Sequence, residues 1–295
     1  MGIRKLNKFL SDLDLIKTYH NINEYVYEKK IKNKKFIVCI DFWLYANKFH
    51  HSCGGNILIG FWNQIIKFLS HRIIPIYIID GKVPVEKLDI IKTRKKRREA
   101  NKNKLNIIND HIDELIKAEE IDEIYLNELN SKKEKLEKSV NKISNEQLNN
   151  IFELFDKLNI EYIKANYEAD FLCSRLFDNN FVISCLSDDM DLLALGCDSL
   201  IKFDKGLIKE FNLTTILNKL SLSHEQFIEL CILFGNDYIN HSVKMDTDEI
   251  YNLLLEKQSI KEIFKSNHSI LNTKNRKAKI IYDKYENIKN LYLKS

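Results

Sequence analysis

KKFIVCID, residues 34–41, decides the fold. After two lysines it is apolar at successive positions, β-branched, and stops abruptly at Asp41, the pattern of a parallel strand buried on both faces. IIPIYIID (73–80) repeats that pattern and ends in Asp80. Between them, ILIGFWNQIIKFLSHR (57–72) spaces its apolar residues as an amphipathic helix does. Together they predict a β-α-β unit, whose crossover is normally right-handed. The pattern resumes at SNEQLNNIFELFDKL (144–158), where Ser144 and Gln147 make a capping box. IEYIKA (160–165) reads as a strand, NYEADFLCSRLFDN (166–179) as a helix beginning at Asn166, and FVISCL (181–186) as another strand. SLIKF and LIKEF follow as a short β pair, and the chain reads as helical from Asn212 onward. The expectation is an α/β protein with a central, mostly parallel twisted sheet flanked by helices.

Residues 85–145 break the alternation. Lys, Glu, Asp and Asn dominate, with Ile108, Ile112, Leu115 and Ile116 on one helical stripe and Leu126, Leu129, Lys133 and Leu136 on a looser one. Charged helices projecting from the sheet fit this composition. Four segments are therefore expected: 1–84, a helical insertion at 85–145, a return to the sheet at 146–211, and a helical region at 212–295.

The 295 residues are 44% hydrophobic and 30% charged, with a net charge of +4 that hides strong segregation. Lys92, Arg94, Lys95, Lys96, Arg97 and Arg98 form one basic block, which suits a polyanionic partner. MGIRKLNKFLSDL is too polar for a signal-peptide core, and runs such as IIPIYII are too short to span a bilayer, so no membrane is expected and an intracellular protein is. None of the six cysteines forms a C-x-x-C pair, and Cys39, Cys185 and Cys231 lie inside apolar runs, which predicts reduced core thiols. His50, His51 and Cys53 precede Gly54 and Gly55 without a clear fourth ligand and read as a solvated loop rather than a zinc site.

Against this background, Asp41, Asp80, Glu168, Asp170, Asp189, Asp191 and Asp237 carry the chemistry. Acids at several strand ends on one side of a parallel sheet make an anionic cleft, which bound cations render tolerable. Glu168 and Asp170 are two apart at a helix start, where the dipole offsets part of their charge. Asp189 and Asp191 are also two apart, and in an extended segment alternate side chains point the same way. Carboxylates suit Mg²⁺ or Mn²⁺, and two such ions can activate water and stabilise the leaving oxygen of a phosphodiester. A protein that only bound nucleic acid would gain affinity by losing these acids.

The set resembles the flap endonuclease, or XPG-like, family of structure-specific 5′ nucleases. MGIRKLNKFL is similar to that family's M-G-I/V opening; Tyr77 to Pro84 matches its Y-x-x-D-G-K-x-P; and Lys92, Arg94, Arg97 and Arg98 keep the spacing of its basic gateway helix. Glu168-Ala169-Asp170-Phe171-Leu172-Cys173 resembles E-A-E-A-x-C, Ser187 to Asp191 resembles S/T-x-D-M-D, and Leu230 to Tyr238 resembles L-C-I-L-x-G-x-D-Y. The resemblance runs from Met1 to about Lys265.

It implies a PIN-like 5′ nuclease fold in which the seven acids hold two Mg²⁺ or Mn²⁺ ions and Lys87 and Arg94 join them as catalytic residues. Gly2, Tyr45, Lys87, Arg94, Arg97, Arg98 and Lys244 would contact nucleic acid, Tyr45 by stacking. The implied substrate is branched, flapped or nicked DNA, cut in replication, recombination or repair. A DNA-binding scaffold with little catalysis and a 5′ exoribonuclease are the alternatives. Two departures stand out. The family's glycine-rich hairpin turn is replaced by Ser242 to Asp248, which puts Asp246 and Asp248 where a phosphate would lie, and Asp170 stands where a Glu is common. The last residues, NIKNLYLKS, carry no sliding-clamp box, so no clamp partner is expected.

Overall fold

The computed structural model describes residues 2–29, 36–117, 123–140, 143–239, 245–266 and 276–293. The chain opens with α1 (Leu6–Asp12), β1 (Lys17–Tyr19) and α2 (Ile22–Glu28), three short elements that the sequence reading did not anticipate. Then come β2 (Phe36–Asp41), α3 (Phe42–Ser52), α4 (Ile57–Ser70) and β3 (Ile73–Ile79). The crossover between the two strands therefore holds two helices rather than one. Asp41 ends the strand and caps α3 at once, its Oδ1 accepting the Leu44 N–H at 3.0 Å. His50 and His51 occupy the last turn of α3 rather than a loop.

A 3₁₀ turn (Val85–Lys87) leads into α5 (Leu88–Lys117) and then α6 (Glu123–Val140). With 30 residues, α5 is about 45 Å long at the rise of an α-helix. The two helices pack on each other through buried Ile112 and Leu129, while Ile116, expected on that stripe, is exposed. α7 (Asn145–Leu158) begins at the predicted capping box. It is followed by β4 (Tyr162–Lys164), α8 (Ala169–Asp178), β5 (Ser184–Leu186) and the single turn α9 (Asp191–Ala194). β6 (Ser199–Asp204) and β7 (Leu207–Asn212) form the expected pair. The remaining described elements are helices: α10 (Leu213–Leu220), α11 (His224–Phe234), α12 (Thr247–Lys257), α13 (Ile260–Lys265) and α14 (Arg276–Leu293). Among the described residues no helix is long and apolar enough to cross a membrane.

The seven strands form one sheet in the order β1-β7-β6-β5-β2-β3-β4. β2 pairs parallel with β3 on one side and with β5 on the other, and only β6-β7 and β7-β1 are antiparallel. The chain winds outward from β2 through β3 to β4, then returns to the opposite side of β2 with β5. That reversal is a topological switch point, and open α/β sheets place their ligand crevices outside the carboxyl ends of the strands there. Alternate β2 residues enter separate cores. Val38 and Ile40 join Phe42, Phe61, Tyr77 and Phe155 on one face, and Cys39 joins the cluster built from α1, α8 and α10 to α14 on the other. Tyr77 and Phe155 stack with centroids 4.5 Å apart, rigid support beneath the strand ends.

Candidate active site

The β3–α8 junction shows how local sequence sets the site. After Asp80 the chain must pass very close to the segment before α8. The Gly81 N–H donates to the Tyr167 carbonyl at 2.6 Å and the Lys82 N–H to the Asn166 carbonyl at 3.1 Å. A Cβ on Gly81 would sit 2.0 Å from the Ala165 carbonyl oxygen, so only glycine permits this zipper. It consumes residues 165–167, and α8 starts at Ala169 rather than at Asn166 as expected. Asp80 then reaches across to the new helix start, its Oδ1 accepting the Ala169 N–H at 2.7 Å. One acid thereby fixes the helix that presents Glu168 and Asp170.

Asp189 and Asp191 do not lie in an extended segment. The Asp189 N–H donates to Ser187 Oγ at 3.1 Å, and the Asp191 N–H donates to Asp189 Oδ1 at 3.0 Å as α9 begins. This tight turn, rather than strand alternation, brings the pair to one place. Lys202 braces it from β6, donating to the Asp188 carbonyl at 2.8 Å and approaching Met190 Sδ at 2.9 Å, while Lys48 pairs with Asp188 at 2.7 Å. Burial pushes the Lys202 ammonium down to about 8.

Gly2 closes the cluster from the N-terminus. Its φ is +78°, and a Cβ there would lie 1.9 Å from Asp189 Oδ1 and 3.1 Å from Asp191 Oδ1. Gly2→Ala is expected to displace Asp189 and to slow any acid-dependent cleavage about 100-fold, the usual result of an ångström-scale misplacement. Single-turnover rates, with the melting curve recorded in parallel, check this.

Asp237 follows the end of α11. Asn236, fully buried, accepts the Tyr238 and Ile239 N–H groups at 3.1 and 2.9 Å and donates to the Tyr292 hydroxyl at 3.3 Å. This side-chain turn aims Asp237 at Arg94 of α5, 2.6 Å away. Asn236→Ala orphans two backbone donors and is expected to cost about 2 kcal/mol, seen as a lowered denaturation midpoint. The residue was not singled out from sequence, because a G-N-D-Y string gives no sign that its partner is a tyrosine 56 positions away.

Lys87 lies deep in the site, 2.9 Å from Glu168, and its ammonium sits 4.6 Å from the Tyr238 ring centre. Tyr238 also reaches Glu168 through its hydroxyl at 3.3 Å. Electrostatic coupling links all seven acids. Asp41 is pushed up to about 8 by burial and by Asp80 and Asp189, against the Leu44 N–H that lowers it. Asp170 is held well above the carboxylate range by burial and by Asp189 and Asp41. Asp191 is likewise raised by burial and by Asp189, Asp237 and Glu168, with Lys87 opposing. Burial raises Glu168 too, again opposed by Lys87.

Most of the acids have local partners. Asp41 and Asp80 cap helices, Glu168 and Asp237 face Lys87 and Arg94, and Asp189 accepts the Asp191 N–H. Asp170 Oδ1 and both Asp191 side-chain oxygens are buried with no hydrogen-bond partner. Among the described residues no three His, Cys, Asp or Glu side chains stand close enough to hold a metal ion as placed. A cation would need these side chains drawn closer together, and the orphaned oxygens are the ones it would satisfy. The donor set, all carboxylate, fits Mg²⁺ or Mn²⁺.

Other expected positions lie elsewhere. Arg97 and Arg98 are exposed on α5, about one turn beyond Arg94. Tyr45 is buried, packs against Phe49 and lies beneath the Lys48 ammonium, so its ring offers no open stacking face. Lys244 and Ser242 fall outside the described residues. Asp246, read as facing a phosphate, is instead the N-cap of α12, in a capping box with Glu249.

Acids at the carboxyl ends of a parallel sheet, with a basic helical hairpin inserted after the second of them, define a protein of the PIN-like 5′ nuclease class. Residues 1–101 match the XPG N-terminal domain and residues 159–237 the XPG I-region, and the chain belongs to the XPG-like family of flap endonucleases, which are structure-specific nucleases. Flap endonuclease 1 of Xenopus tropicalis is 29% identical over 278 residues, covering 89% of this chain and 68% of that protein. Flap endonuclease 1 of Enterocytozoon bieneusi is 31% identical over 257 residues, covering 81% of this chain and 65% of that one. The fold is shared with the catalytic core of Rad2 in complex with DNA substrate (TM-score 0.67, 18% identity, 99% of this chain and 86% of that one). It is shared also with flap endonuclease-1 from Methanococcus jannaschii (TM-score 0.56, 19% identity, 91% of this chain and 82% of that one).

Proposed function

We propose that this chain is a divalent-cation-dependent 5′ nuclease that hydrolyses phosphodiesters of branched, flapped or nicked DNA. The observation that carries this reading is the set of buried, unpartnered oxygens on Asp170 and Asp191, on which the charges of Asp41, Asp189, Asp237 and Glu168 act. Such oxygens destabilise a fold unless a cation meets them. Asp41, Asp80, Glu168, Asp170, Asp189, Asp191 and Asp237 would hold two Mg²⁺ or Mn²⁺ ions. When bound, these would supply an acidified water and neutralise charge on the phosphodiester.

The chain's own residues do the rest. Lys87, in the 3₁₀ turn before α5, and Arg94, about two turns further on, bring positive charge to the face of the cluster and would stabilise the phosphate as it gains charge. Arg97, Arg98 and Lys244 would hold the backbone of the nucleic acid without reading its sequence. Gly2 lets the N-terminal segment lie against Asp189 and Asp191. In this reading, segments 1–84 and 146–211 form the nuclease body, 85–145 the arch over the 5′ strand, and 212–295 the duplex-binding region. The Rad2 core, which shares the fold, is described with DNA substrate, and this supports a nucleic-acid substrate here.

The test is cleavage of a 5′-labelled double-flap DNA in Mg²⁺, Mn²⁺ and EDTA beside Asp189→Ala, with an RNA flap in parallel. Metal-dependent cutting near the junction, lost in Asp189→Ala with DNA binding kept, is expected. Binding without cutting by the wild type would leave the scaffold reading, and cutting confined to RNA the exoribonuclease reading.

A further inference from the structure

Beyond Glu168 the surface sinks into a second cavity, of about 510 Å³. One wall is the loop after Asp80, with Lys82 and Val85. The other is the approach to α8 and its first turns, with Tyr167, Phe171 and Arg175, and Leu291 of α14 closes one end. Glu168 lines this cavity and also belongs to the acid cluster, so the two sites adjoin.

Three features specify an occupant. First, Tyr167 is 61% exposed and Val85 76%, large apolar side chains held open to solvent. The Tyr167 backbone is not loose, because its carbonyl accepts the Gly81 N–H and the next carbonyl upstream accepts the Lys82 N–H. An exposed aromatic ring on a tethered backbone is a stacking platform for a planar group. Second, the cavity sets two cations, Lys82 and Arg175, beside a cluster of carboxylates. An anionic strand leaving the acids meets compensating charge there. Third, the volume falls in the range of small-ligand sites and exceeds what one side chain needs.

We infer that this cavity seats one unpaired nucleotide of a single strand, its base on Tyr167 and its phosphate on Lys82 or Arg175. The inference rests on the nuclease reading for its place: it makes the cavity the seat of the nucleotide next to the phosphate that the acids address. It also supplies a basis for structure selection, since a base held in a duplex stack cannot enter.

The experiment uses two DNAs, a 5′ flap with 2-aminopurine at the first unpaired position and a flush nick with no unpaired nucleotide. Binding and fluorescence are recorded in EDTA and, by rapid mixing, in Mg²⁺ before cleavage. The wild type should change the 2-aminopurine signal on binding the flap. Tyr167→Ala should abolish that change and weaken flap binding roughly 5- to 150-fold, as loss of one stacked base does, with nick binding unchanged. Tyr167→Phe should behave as the wild type, and Lys82→Ala with Arg175→Ala should weaken the flap alone. Equal behaviour of Tyr167→Ala and wild type, or equal loss on flap and nick, overturns the inference. If the wild type cuts flaps but Tyr167→Ala changes nothing, the cavity assignment fails and the nuclease reading stands. If stacking depends on Tyr167 but no metal supports cutting, the nuclease reading fails and the cavity assignment stands. Failure of the wild type to bind either DNA overturns both.

Discussion

Asp191→Asn is expected to melt at a higher temperature than the wild type in EDTA and to have no measurable DNA cleavage in Mg²⁺. The carboxylate is 1% exposed, both its oxygens lack partners, and Asp189, Asp237 and Glu168 all act on it with the same sign of charge. Lys87 offsets only part of this. An isosteric amide keeps the volume, cannot ionise and offers an N–H to the neighbouring carboxylates. The gain should be about 2 kcal/mol, the size of an orphaned buried polar group, or roughly 3 °C in a chain of this length. Divalent cation should raise the melting temperature of the wild type, because ligand that binds only the folded state stabilises it by mass action. The variant should lose most of that rise. Calorimetry with and without Mg²⁺ reads both effects independently of catalysis. A variant that melts lower in EDTA yet keeps the full Mg²⁺ response would remove Asp191 from the ion-binding set.

The sheet was legible wherever a strand carries its own ending. FIVCID and IPIYIID end in acids because a buried parallel strand must surface somewhere, and those acids sit at the sheet's carboxyl edge as read. What was not legible depends on partners far away in sequence. β1 is three residues long and exists because it pairs antiparallel with β7, nearly 200 residues later. α3 was missed because FWLYANKF continues from the strand without Gly or Pro, and Asp41 serves as strand end and helix cap together. α8 starts three residues later than its sequence suggests, because the N–H that opens it is taken by Asp80, just past the end of β3. The acids of the site were visible one by one. That Asp189 and Asp191 converge through a turn braced by Ser187 and Lys202, and that Asn236 aims Asp237, depends on contacts that no local pattern encodes.

The same dependence on distant partners gives Lys87 the second large effect. Its side chain comes from the short turn between β3 and α5, yet its neighbours belong to α8, α9 and the segment after α11. Burial disfavours the ammonium, but Tyr238, Asp191, Glu168 and Asp170 outweigh that and hold its pKa above the ordinary lysine value. Tyr238 is itself raised by burial, so at neutral pH it is an uncharged phenol whose ring face meets the cation, and the carboxylates supply the net attraction. Lys87→Met keeps the aliphatic bulk and removes the charge. Glu168 then loses its cation in a mostly buried setting, and the metal-free protein should be destabilised by about 2 kcal/mol, below the cost of breaking a fully buried pair. Cleavage should fall about 100- to 1,000-fold, as when one charge-stabilising donor is removed, and saturating Mg²⁺ should restore the stability but not the rate. Lys87→Met with Glu168→Gln isolates the stability role, since neutralising the orphaned acid should recover the melting temperature in EDTA. If Lys87→Met cuts at the wild-type rate, the lysine only balances charge within the fold. Stabilisation of the phosphate would then fall to Arg94, which is half-exposed on α5 and reaches the cluster through Asp237 alone among the ion pairs of the described residues.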